Sequence, residues 1–252
     1  MKRPVPKTKL DELGELVNNF EPNELLSEFK YARCLRLLDA SKQATPKDLW
    51  SIMKGLVELS ANNLKVANES AQYVLANTNN LRLLRNTIYI FAHTFDMENA
   101  CKAIGKIVDL AELKKLDYKN LLPMDLGLEF LLNGEIGKPD SYFYSQAVNV
   151  TNLEHNEYWQ DINEELEISE QDFKNISLII KGAVLEHNAR CLILDYSYLD
   201  EEFLLLIYVD KPIEEIIKIN EEIFEECFRK DLLNAFNKIS YTFVPYDEVQ
   251  NG

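Results

Sequence analysis

Apolar residues recur at helical spacing from Glu21 to about Leu116, and beyond residue 190 their spacing shortens to the alternation of strands. A chain that changes period in this way, with its strand runs confined to one end, is expected to be α+β. An antiparallel helical region comes first, followed by a small α-β-β-α-β module with its helices on one side of the sheet. The boundaries read as a flexible tail over 1–20, a helical region over 21–135, a linker with an acidic run over 136–167 and an acidic α/β module over 168–252.

Within the helical region, Pro22 suits a first turn, and Leu25, Phe29, Ala32 and Leu35 form the expected buried stripe. Thr45-Pro46-Lys47-Asp48 reads as a helix start with Thr45 as cap, followed by the stripe Trp50, Met53, Leu56 and Val57. Asn-rich breaks at 62–63 and 77–80 separate further helices, and Leu81 to Phe95 and Glu98 to roughly Leu116 follow. Pro123 opens a short helix over 124–132, and the turn-rich stretch 133–140 marks the best boundary.

Phe91 on a first helix, Asp96 in the turn, and Ala100, Ile104 and Ile107 on a second helix give residues 81–114 a pattern that resembles one tetratricopeptide-type repeat. The unit before it, about 47–80, fits more loosely through Gly55 and Ala67, and the closing Pro of such repeats is missing. The resemblance covers about a quarter of the chain. It implies helix pairs of the kind that bind protein segments.

In the C-terminal module, Ser169 caps a helix carrying Phe173, Ile176, Ile179, Ile180 and Val184. Strands are expected at 191–198 and 203–209, paired as a hairpin, and at 239–244. Between them Pro212 opens a helix whose residues Ile213, Ile216, Ile217, Ile223, Phe224, Cys227 and Phe228 are expected on one face, with six glutamates over the remainder.

Charge divides along the same line. Residues 1–150 hold equal numbers of acids and bases, whereas residues 151–252 hold 23 Asp and Glu against 8 Lys and Arg, which accounts for the whole net charge of −15. Such a module repels phosphate backbones, so direct nucleic-acid binding through it is excluded. No run of the chain is apolar enough to span a bilayer, and no secretory signal follows Met1, so a cytoplasmic protein without membrane contact is expected. Cys34, Cys101, Cys191 and Cys227 form no C-x-x-C pair and read as reduced, buried thiols.

Catalytic patterns are weak. His93 with Asp96, the run His187, Arg190 and Asp195, the hairpin acids Asp195 and Asp210, and Cys34 as a thiol each read more simply as packing or surface. The acids of 109–114 have nuclease-like spacing but fall on a helix. No phosphate-binding glycine loop or nucleophile elbow is present. The expectation is therefore no catalytic residue, no metal and no cofactor.

Clustered carboxylates steer and hold cationic proteins. The chain is thus expected to be a non-enzymatic inhibitor or immunity-type protein engaging a basic partner, such as a nuclease, toxin or nucleic-acid enzyme. Glu164, Glu165, Glu221 and Glu222 would supply the charge, with Tyr158 and Trp159 as apolar anchors. A helical-repeat adaptor or chaperone is the alternative, and an enzyme with an unrecognised site the second alternative.

Overall fold

A computed structural model of the chain describes residues 8–20, 25–116, 131–134, 161–199 and 202–246. The chain is largely helical, with a three-stranded sheet near its C-terminus, an α+β fold. Among the described residues six helices come first: α1 (Lys9–Asn18), α2 (Glu28–Ser41), α3 (Lys47–Ser60), α4 (Leu64–Asn77), α5 (Leu81–His93) and α6 (Met97–Lys114). The C-terminal module runs α7 (Glu170–His187), β1 (Cys191–Leu199), β2 (Glu202–Val209), α8 (Ile213–Arg229), α9 (Leu233–Lys238) and β3 (Ile239–Pro245). The short α9 is an addition to the expected order.

Residues 8–20, expected within a flexible tail, carry an ordered helix instead. Thr8 and Asp11 make a reciprocal capping box, and Leu13 is fully buried with Cys34, Leu38 and Val57. That contact also fixes which face of α2 turns inward: Cys34, Leu37, Leu38 and Ser41 are buried. The stripe expected to be buried is largely exposed, with Leu25 at 42% and Phe29 at 73%. Ser27 caps α2, accepting from the backbone N–H of Lys30. Thr45 does not cap α3: its hydroxyl donates to the carbonyl of Ser41. Pro22 and the expected helix start at Pro123 lie outside the described residues.

Helices α3, α4 and α5 meet at Gly55. A β-carbon there would sit 2.9 Å from the Ile90 Cδ1 and 3.2 Å from the Ser70 Cβ, so the crossing depends on a missing side chain. From this junction one continuous core extends from Ile52 through Phe91, Ile107 and Ile180 to the sheet residues Leu205, Ile207, Val209 and Phe243.

The helical region and the C-terminal module therefore share one interior. Polar contacts cross the same seam. Asp96, 1% exposed, is paired with Lys181 of α7 at 2.7 Å and accepts from Asn68 and Asn99. Asn188, after α7, accepts from the N–H of Leu64 at the start of α4. The expected linker also belongs partly to this interior: residues 161–166 are helical and bury Ile162 and Leu166, while 136–160 lie outside the described residues. Gly134, in the expected boundary turn, has φ +64° and lies against the backbone of Glu170, where a β-carbon would be 2.5 Å from the carbonyl oxygen.

In the sheet, β1 pairs antiparallel with β2 and β2 pairs parallel with β3, in the order β1-β2-β3. Phe203, Leu205, Ile207 and Val209 alternate inward on β2, and Ile239, Tyr241 and Phe243 do so on β3. The parallel pair needs a crossover, which α8 and α9 supply. The outer edge of β3 is met by Asn220 of α8: its Nδ2 donates to the Phe243 carbonyl at 3.2 Å, and its Oδ1 accepts from the Phe243 N–H at 3.0 Å.

Candidate interaction surface

Helix α8 carries eight apolar residues in seventeen, more than one buried stripe can use. Ile216, Ile219, Ile223 and Cys227 are buried. Ile213, Ile217, Phe224 and Phe228, expected on that same face, are instead 47%, 50%, 48% and 66% exposed. At ~100° per residue this second stripe lies roughly a third of a turn round the helix from the first. Phe224 keeps an edge contact with Phe236 of α9, with ring centroids 6.3 Å apart.

The glutamates of α8 sort by side. Those turned toward α7 are engaged: Glu222 with His187 at 2.7 Å, and Glu226 with Arg229 at 2.6 Å. Glu215 pairs with Lys211 at 3.1 Å. Glu214, Glu221 and Glu225 have no ion-pair partner among the described residues; helical spacing places Glu214 and Glu221 beside the exposed apolar stripe, and Glu225 stands between that stripe and the α7 flank. The result is an exposed apolar strip bordered by three carboxylates that make no ion pair among the described residues, with the exposed Lys218 one turn from Glu214 and Glu221. On the other flank of α8, a groove of about 430 Å³ runs along α7, with Leu178, Gly182 and Ala183 on one wall and Glu222, Glu225 and Glu226 on the other.

Of the residues expected to bind a partner, Glu221 and Glu222 are exposed on α8 but face different flanks. Glu164 and Glu165 are exposed on the separate helical segment 161–166, whose Leu166 carbonyl accepts from Lys238. Tyr158 and Trp159 lie outside the described residues. Ile213, Ile217, Phe224 and Phe228 do not stand out in the sequence as surface residues. The excess of apolar residues in α8 is the one signal that could have found them.

The groups weighed for chemistry are committed elsewhere. His93 is bonded through Nδ1 to the Cys191 carbonyl, and burial pushes its pKa down to about 4. Its expected neighbour Asp96 is held by Lys181 instead. Burial would raise the Asp96 carboxyl, but the Lys181 ammonium and the Asn99 and Asn68 amides outweigh it and hold the group below its ordinary value. His187 meets Glu222 rather than Asp195. Asp195 lies opposite Leu206, four residues from Asp210, which separates their backbones by about 13 Å along the strand. Burial raises the thiols of Cys34, Cys191 and Cys227, the last to about 11, which keeps them protonated. Among the described residues, no group of three or more His, Cys, Asp or Glu is placed to hold a metal ion. No helix among them is long and apolar enough to cross a membrane.

No protein-family model, curated protein or solved structure matches the chain.

Proposed function

We propose that the protein is a non-enzymatic binding protein, of the inhibitor or immunity type, that engages a basic partner through the outer face of α8. The observation carrying this reading is the strip Ile213, Ile217, Phe224 and Phe228, along which Glu214, Glu221 and Glu225 have no ion-pair partner among the described residues. Apolar anchors give an interface its desolvated centre, and a carboxylate rim steers and selects a cationic partner. The partner would be met in the cytoplasm, a compartment that four free, buried cysteines suit.

The test is a titration of the purified full-length protein with basic proteins first identified by low-salt capture from the source cells. Phe228→Ser is expected to weaken binding by roughly fivefold or more, since an interfacial aromatic anchor contributes above about 1 kcal/mol. Glu221→Gln with Glu225→Gln is expected to weaken it and to flatten its salt dependence. Binding unchanged by both sets of substitutions would overturn the reading.

A further inference from the structure

The outer face of α2 is the chemical complement of the α8 strip. Phe29 is 73% exposed, and Leu25, just before the helix, is 42% exposed. Phe29, Arg33, Arg36 and Ala40 line one side of α2, and with Lys9 of α1 they border an open groove of about 470 Å³. The charged residues that line the groove are all cationic, although the exposed Glu28 and Asp39 stand beside it on α2: Lys9 and Arg33 both reach the single carboxylate of Glu12, and Arg36 has no ion-pair partner among the described residues. Each face thus joins exposed apolar side chains to charged ones, predominantly cationic along the α2 groove and anionic along the α8 strip.

We propose that α2 of one copy docks on α8 of a second copy of this chain. The inference rests on the reading of α8 as a binding face and names its basic occupant. Both faces present ridges at four-residue spacing, Phe29-Arg33 and Arg36-Ala40 on one, Ile213-Ile217 and Phe224-Phe228 on the other, which is the spacing at which helices interdigitate. Phe29 enters the gap between Ile217 and Phe224, and Arg33 and Arg36 meet Glu221 and Glu225. The two surfaces differ, so the contact is heterologous and either closes a ring or extends a chain.

Sedimentation of the full-length protein over a range of concentrations and salt tests this. Association that strengthens with concentration and weakens with salt is expected, and Phe29→Ser should weaken it by roughly tenfold or more. The charge-reversed variants Arg33→Glu/Arg36→Glu and Glu221→Arg/Glu225→Arg should each be monomeric alone and associate when mixed, because each then offers the surface the other lacks. Circular dichroism on each variant separates a lost contact from a lost fold. A monomer at every concentration, or association indifferent to Phe29→Ser and both reversals, overturns the proposal. If the wild type stays monomeric while an identified basic protein still binds α8 in a Phe228-dependent way, self-docking falls and the proposed function stands.

Discussion

His93 shows how one residue can set the acid behaviour of the fold. Its ring lies between Tyr89, with centroids 4.3 Å apart, and the backbone of Cys191, and burial lowers its pKa from 6.5 to about 4. The folded state therefore resists protonation that the unfolded chain accepts. Stability from this residue is present above about pH 6.5 and is lost as pH falls toward 4, by about 3 kcal/mol at most. Denaturant titrations across that window should show the slope in the wild type and a reduced slope in His93→Gln. Equal slopes would mean that His93 does not carry it. Sequence spacing marks His93 as notable but pairs it with Asp96, three residues away. The actual partners lie 98 and 85 positions apart, His93 with Cys191 and Asp96 with Lys181, where local spacing carries no signal.

At the level of elements, the periodic positions are legible in the sequence and the choice of inward face is not. The stripe Leu25, Phe29, Ala32 and Leu35 has good helical spacing, yet α2 turns Cys34, Leu37 and Leu38 inward because α1 packs there. Periodicity defines a face, but the neighbouring element decides whether it is covered. Helix α8 repeats the lesson, since two apolar stripes compete and only one is covered. Glycine positions follow the same logic. Gly55 lies where three helices approach, so Gly55→Leu should cost about 2 kcal/mol in chemical denaturation by overpacking against Ile90 and Ser70. A neutral result would show that the crossing relaxes freely.

For the molecule as a whole, the division into a neutral helical part and an acidic module holds for charge but not for packing. The core crosses the boundary without a break, and the Asp96–Lys181 pair bridges the same seam. Removing either partner leaves a charge unmatched in a largely buried setting, so Lys181→Met and Asp96→Asn should each destabilise the protein by about 3 kcal/mol. The double variant should lose less than the sum, with a coupling of roughly 1–3 kcal/mol. Unfolding should remain a single transition by both fluorescence and circular dichroism. Additive losses, or two separate transitions, would show that the halves are energetically independent.

Asn220 gives the sheet a terminus in the sense that a polymer chemist would use the word. By bonding both the N–H and the C=O of Phe243, its side chain occupies the site where an added strand would propagate the ladder. A visitor would have to displace two hydrogen bonds before it could extend the sheet there. A partner of the proposed α8 face would thereby meet the side-chain surface of the helix and not an open strand at Phe243, so shape and charge, rather than a common backbone, would determine which partner is accepted.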